Sequence, residues 1–310
     1  MSHSTSIRSR LRSAGIAPRK SLGQNFLTDD DTARRIVRLA GIQPGEVVLE
    51  IGPGIGALTR HLAQAARHVI AIEIDRNLIP ILQQELAGAA NVTILQADAL
   101  AVDFAALLSD AGVDASAPVR FVGNLPYYIT SALIRRMLES SLDIRSIVLT
   151  VQLEVAERIV AQPGDMSLLS VSVQVYGKPE QLMRLSPSVF YPQPDVDSAV
   201  VRITPYHQCD HPDTLFELAR AGFSQRRKQL RNTLSAGLQL PKTDADELLA
   251  DAAIDAARRA ETLSIPEWMH LTEVYVQRGY AAAKRSDSSA SDSLNNSDVA
   301  APTTANSTEL

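Results

Sequence analysis

The sequence predicts an α/β protein: a Rossmann-like, doubly wound sheet followed by a small all-helical C-terminal domain. Three observations carry this. Short apolar runs rich in β-branched residues alternate with helically spaced segments from residue 30 to about 160. A glycine-rich turn follows the first run and opens a helix. After Pro205 the alternation stops and only helical patterns remain.

The elements follow in order. A helix is expected at 32–39, ahead of the first strand. Strands are expected at 47–51, 69–74, 92–95, 119–122 and 147–151. Helices are expected between them, at 58–65, 78–86, 104–108 and 132–138. This rhythm predicts a parallel sheet with crossover helices. Val171, Val173 and Val175 alternate with polar residues and locally predict a strand, and 198–203 predicts another. Pro187, Pro192, Pro194 and Pro205 break that region into loops. Helices are then expected at 215–223, 228–234, 244–252 and 266–276, the last opened by a Ser264/Glu267 capping box. The expected organisation is a basic arm at 1–28, the α/β domain at 29–205, a helical domain at 206–283 and a disordered polar tail at 284–310.

Bulk charge does not announce a nucleic-acid binder, since formal net charge is -5. Its distribution says more. Arg8, Arg10, Arg12, Arg19 and Lys20 sit in an acid-free N-terminus; Arg226, Arg227, Lys228 and Arg231 cluster further on. Local basic patches on an acidic chain fit an RNA partner. The arm has some likeness to a transit peptide but no clear apolar face, so a cytoplasmic protein is expected. One cysteine, Cys209, excludes an intrachain disulfide. No apolar run reaches the roughly 20 residues of a membrane span. His207-x-Cys209-x-His211 has the look of a metal fragment, but zinc sites usually need four ligands and no second pair appears. It reads as an interdomain linker, and no metal is expected.

The candidate chemistry lies at strand ends. Glu50 precedes a loop in which Gly52 and Gly54 let the backbone approach a ligand closely. Glu73 ends the next strand, about 20 residues on, where a carboxylate meets ribose hydroxyls. Asp98 follows the third strand. Gly52-x-Gly54-x-x-Ala57 also satisfies the looser dinucleotide fingerprint, so spacing leaves both cofactor classes open. The acids tilt the reading away from pyrophosphate and toward a sulfonium cation, S-adenosylmethionine. Asn124-Leu125-Pro126-Tyr127 then follows the 119–122 strand. The Asn124 side-chain oxygen and the Leu125 carbonyl can each accept one N–H of an exocyclic amino group. Pro126 stiffens the turn and Tyr127 offers a stacking face. Read alone, these four residues are an ordinary strand-ending turn.

Gln24-Asn25-Phe26-Leu27, Glu50-Ile51-Gly52-Pro53-Gly54, Glu73-Ile74-Asp75, Asp98, Asn124-Leu125-Pro126-Tyr127 and Phe190-Tyr191-Pro192-Gln193-Pro194-x-Val196-Asp197-Ser198 occur in one order. Together they resemble the ribosomal RNA adenine N6-dimethyltransferases, and most closely their bacterial small-subunit branch. The resemblance implies a methyltransferase sheet with S-adenosylmethionine held by Asn25, Leu27, Gly52, Glu73, Asp98 and Asn124. It implies a helix around 168–176, against the local strand reading, and the resemblance is given precedence. It implies a substrate of two adjacent adenosines in the 3′-terminal hairpin loop of 16S ribosomal RNA, met within a small-subunit assembly intermediate by a monomeric enzyme.

The target base must leave its stack, and Tyr127 and Phe190 are the candidates to sandwich it. The Pro-rich loop places Phe190 on a surface lip in this reading. Arg226, Arg227, Lys228 and Arg231 are the candidate RNA contacts. Competing readings are a large-subunit ribosomal RNA adenine methyltransferase of the macrolide-resistance type and a non-enzymatic ribosome-assembly factor. An NAD oxidoreductase stands third, lacking a proton-transfer dyad.

Overall fold

The computed structural model describes residues 11, 15–19, 22–114, 116–125, 130–206 and 210–280. The expected disordered tail, Tyr127, Cys209 with His207, and the arm residues Arg8, Arg10, Arg12 and Lys20 lie outside the described residues. The chain forms two compact units, Met1–Cys209 and Asp210–Leu310.

In the first unit, β1 (Phe26–Leu27) leads into α1 (Asp30–Ala40). Asp29 caps that helix by accepting from Thr32 N at 2.8 Å, and Gly41 ends it in the left-handed conformation. The alternation then runs β2 (Val47–Ile51), α2 (Thr59–Ala65), β3 (His68–Glu73), α3 (Ile79–Glu85), β4 (Val92–Gln96), α4 (Phe104–Asp110), β5 (Val119–Asn124), α5 (Thr130–Leu138) and β6 (Ile144–Gln152). After β6 come α6 (Leu153–Ile159), α7 (Leu168–Gln174), β7 (Gly177–Leu185), β8 (Phe190–Tyr191) and β9 (Ser198–Pro205).

The main sheet has seven strands in the order β4-β3-β2-β5-β6-β9-β7. The five from β4 to β6 are parallel. Their apolar runs were legible because helices cover both faces: Leu49, Phe121 and Leu149 pack with Leu108 and Leu133 on one side. Val48, Val122 and Val148 pack with Ile36 and Leu62 on the other.

Two expectations are corrected. The sheet is not wholly parallel, because β9 runs antiparallel between β6 and β7. β7 had no strand signal in the sequence: it is the edge, so it tolerates Pro179 and alternates little. The local strand reading of 171–175 also fails. That segment lies in and beside α7, as the resemblance implied. Ser167 and Ser170 form a reciprocal capping box at its start, and burial of Leu169, Val171 and Val173 outweighs their β-propensity.

The second unit is helical: α8 (Pro212–Gly222), α9 (Leu230–Leu238), α10 (Lys242–Asp251) and α11 (Ile265–Gln277). The expected Ser264/Glu267 capping box opens α11. α8 and α9 pack backbone to backbone, since a Cβ on Gly237 would stand 2.6 Å from Ala221 Cβ. Among the described residues no helix is long and apolar enough to cross a membrane.

The amino-terminal edge of the sheet is tied by one cation. Arg120 of β5 pairs with both oxygens of Glu46 through Nε and Nη2, and its Nη1 donates to Ser146 Oγ at 2.8 Å and Ala40 O at 3.1 Å. Arg120→Met leaves the Glu46 carboxylate without its partner. The expected cost is about 3 kcal/mol in urea unfolding, with no change in the affinity for cofactor. A loss under about 1 kcal/mol would show the pair to be energetically idle.

Candidate active site

The strand order reverses between β2 and β5, and a cavity opens there beyond the carboxyl ends of the strands. Each wall is a strand end. β2 runs into the Gly52–Gly54 turn, where φ is +69° at Gly52 and +60° at Gly54. A Cβ on Gly54 would stand 3.0 Å from the Phe26 ring, so glycine is what allows β1 to lie over the turn. Gly123 does the same between β5 and β2: its Cβ would stand 2.7 Å from Ile51 O.

Glu73 closes β3 and is 4% exposed. Its two oxygens accept from Gly54 N and Asp75 N, each at 2.9 Å. Burial pushes its carboxyl above the usual range, and those two N–H groups hold the rise in check. Asp98, after β4, is exposed and accepts from Leu100 N at 2.9 Å. After β5, Asn124 donates through Nδ2 to Asn25 O at 2.8 Å, and Leu125 N donates to Thr150 O at 3.3 Å.

The structure brings Asn25, Gly52, Gly54, Glu73, Asp98, Asn124 and Leu125 together around one cavity. Leu27 does not line it. Its side chain is buried and faces a smaller recess shared with Glu50, Gly52 and Asn124. The reading of Phe190 is corrected. It is 4% exposed and packs with Leu27, Val122 and Leu185, because β8 pairs with β1 and draws the ring inward. Phe190 cannot stack on a base without leaving that core, so the surface-lip reading fails in this structure.

The lining residues missed as site residues include Gln24, Ile74 and Leu100. Ile74 is 45% exposed, unusual for an isoleucine at a strand end, and the Glu73-Ile74-Asp75 motif was its only signal. Of the basic cluster, Arg226, Arg227 and Lys228 are exposed in the loop between α8 and α9, not on a helix face. Arg231 lies within α9, where its Nε is 3.4 Å from Asp246 Oδ1.

The donor set fits S-adenosylmethionine. Carboxyls at Glu73 and Asp98 line the cavity beside a turn whose backbone comes close, which is suited to a cation and hostile to phosphate. Glu50 is 1% exposed and its Oε2 has no hydrogen-bond partner among the described residues.

A sheet reversal with this turn, these acids and an Asn-Leu strand end defines the class of S-adenosylmethionine-dependent methyltransferases acting on an amino group. The family model described as "Ribosomal RNA adenine dimethylase" matches residues 16–276. The chain belongs to the ribosomal RNA adenine dimethylase family, whose members are S-adenosylmethionine-dependent ribosomal RNA adenine dimethyltransferases. It is 46% identical over 266 residues to "Ribosomal RNA small subunit methyltransferase A" of Alkaliphilus metalliredigens, covering 84% of this chain and 92% of that one. The relative of the same name from Moorella thermoacetica is 44% identical over 271 residues, covering 84% and 94%. Among solved structures, a dimethyladenosine transferase from Plasmodium falciparum matches with TM-score 0.71 and 26% identity, covering 82% of this chain and 98% of that one. The 23S rRNA methyltransferase ErmE matches with TM-score 0.64 and 29% identity, covering 81% and 99%.

Glu50 gives a pH prediction. Burial raises its pKa from 4.5 to about 8; the Thr59 hydroxyl lowers it in part and the Glu73 charge raises it. Folding therefore favours the protonated form. That contribution is complete below about 4.5 and is lost as pH rises to about 8. Glu50→Gln cannot ionise, so its melting temperature relative to the parent should rise steadily between pH 5 and 8. A constant difference across that window would refute the assignment.

Proposed function

We propose that this enzyme dimethylates the N6 amino groups of two adjacent adenosines in the 3′-terminal hairpin loop of 16S ribosomal RNA. It acts as a cytoplasmic monomer on a small-subunit assembly intermediate. The observation that carries the reading is Asn124 and Leu125 at the rim of an acid-lined cavity. The relatives at 42–46% identity are small-subunit enzymes by name, whereas the large-subunit enzyme stands at 29%.

S-adenosylmethionine, when bound, supplies an electrophilic methyl group on a sulfonium. The residues that hold it in this reading are Asn25, Gly52, Gly54, Glu73, Asp98 and Asn124, with Leu27 contributing through its backbone. Glu73 takes the ribose hydroxyls and Asp98 the amino group of the cofactor's adenine. Asn124 Oδ1 and Leu125 O accept the two N–H groups of the target amine. That pulls the nitrogen toward tetrahedral geometry and frees a lone pair otherwise delocalised into the ring. Catalysis by these residues is positioning and electrostatics, with no strong base needed before attack. Tyr127 is the proposed stacking face. After the first transfer one N–H remains, so the pocket must accommodate a methyl group.

Small ribosomal subunits lacking the modification, incubated with methyl-labelled S-adenosylmethionine, provide the test. Label should map to two neighbouring adenosines as dimethyladenine. Label confined to monomethyladenine, or to large-subunit RNA, overturns the proposal. Asn124→Ala removes one acceptor and should lower kcat by about 10²–10³-fold.

The second unit supplies the address. Replacing Arg226, Arg227 and Lys228 together by Ala should weaken RNA binding and reduce the salt slope of log K by about 1 per lost phosphate contact. An unchanged slope would remove this loop from the interface.

A further inference from the structure

We propose that the N-terminal arm is a working part of the amino-group clamp: docked, it orients the Asn124 amide, and Gln24 with Asp75 is the latch that keeps it docked. The proposal rests on the reading of Asn124 given above.

The argument begins with one hydrogen bond. A backbone carbonyl only accepts, so with Asn25 O at 2.8 Å the nitrogen of the Asn124 amide must face the arm. The amide oxygen is thereby turned the other way, and only an oxygen can receive an N–H from the target amine. Without the arm nothing in this contact distinguishes the two ends of the amide. The flipped form sets an NH₂ against an NH₂, donor against donor. Asn124 thus depends on a segment that precedes it by 99 residues.

Beside the apolar packing of Leu11, Ile16 and Phe26 with Ile55 and Leu78, the arm's polar tie to the cavity rim runs through one buried carboxylate. Asp75 is 2% exposed. Its Oδ2 accepts from Gln24 Nε2 at 2.9 Å, and its Oδ1 accepts from Asn77 N at 3.1 Å. Arg19 adds a guanidinium nitrogen 3.4 Å from Oδ1 and donates its backbone N–H to Gln24 Oε1 at 2.8 Å. Gln24 is therefore read on both ends, one by the arm's own backbone and one by Asp75. Phe26, lying over Gly54, carries the same placement into β1. Gln24 and Asp75 are positioning residues in this scheme: they act on the target amine only through Asn124.

The latch can be broken and remade. Gln24→Glu sets a carboxylate against Asp75 and opens it. Adding Asp75→Asn restores one bond with its direction reversed, and the new amide oxygen still accepts from Asn77 N. In the full-length protein, Gln24→Glu should lower the single-turnover methylation rate at saturating S-adenosylmethionine by roughly 10- to 100-fold, and the double substitution should recover most of it. If the arm merely roofed the cofactor, the deficit would vanish at saturation, and that outcome overturns the proposal. The second readout needs no turnover. Amide hydrogen exchange across residues 24–28 should quicken in Gln24→Glu and also in Asn124→Asp, whose carboxylate cannot donate to Asn25 O. Unchanged exchange in Asn124→Asp overturns the proposal as well. A parent protein that transfers no methyl to RNA would remove the adenine reading instead, and exchange would still decide the latch.

Discussion

The rim of the cavity is organised around one carboxylate. Glu73 accepts from Gly54 N and Asp75 N, so the turn after β2 and the turn after β3 converge on the same buried group. Asp75, set by that bond, in turn holds Gln24, and the arm that carries Gln24 meets Asn124. Four segments distant in sequence are thereby referenced to a single side chain. The residue that organises the rim also lines the cavity, so a substitution there alters the shape of the site as well as its charge.

Concentrating acids in one place has a cost that the fold carries without ligand. Glu50 and Glu73 are both buried, which raises the affinity of each for a proton; the Glu73 charge adds to the rise at Glu50, and the Asp75 charge adds to that at Glu73. At Glu50 the Thr59 hydroxyl opposes the rise, whereas at Glu73 backbone N–H groups oppose it, those of Asp75 and Gly54 foremost. A cation in the cavity lowers both penalties together, and a phosphate would add to them. This is the physical sense in which the acidic crevice selects its cofactor, and it separates the site from a dinucleotide fold that shares the glycine spacing.

What the sequence made legible follows burial. β2, β3, β5 and β6 are enclosed on both faces, so their composition had to declare them; Val47–Ile51 is buried at every position. β7 declared nothing, because an edge strand with Lys178, Pro179 and Glu180 pays little for polarity. α7 declared the wrong thing, its valines favouring a strand until the Ser167 cap and the core overruled them. The same rule holds in the site. Strand-end acids and the Asn124 motif were readable, since chemistry restricts them locally. The Gln24–Asp75 bond spans 51 residues and uses two commonplace polar side chains, so only the fold could pair them. Phe190 misled because prolines mark loops, whereas the strand they flank pairs with β1 and turns the ring into the core.

In the RNA-contact role proposed for it, the basic loop would let an acidic protein address a polyanion. With net charge -5 the chain as a whole is repelled by RNA at long range, so weak, unspecific association is suppressed. Arg226, Arg227 and Lys228 stand exposed on a short connection whose far end is fixed, Leu230 being buried and its N–H donating to Arg258 O at 2.7 Å. Charges on an anchored loop sacrifice less conformational entropy on contact than the same charges on a free tail. Arg231, one residue inside α9, faces Asp246 instead and spends its charge within the unit. The cluster divides over a few residues: Arg227 and Lys228 stand exposed, Arg226 is exposed with its Nε 4.0 Å from Glu261 Oε2, and Arg231 pairs with Asp246 within the unit.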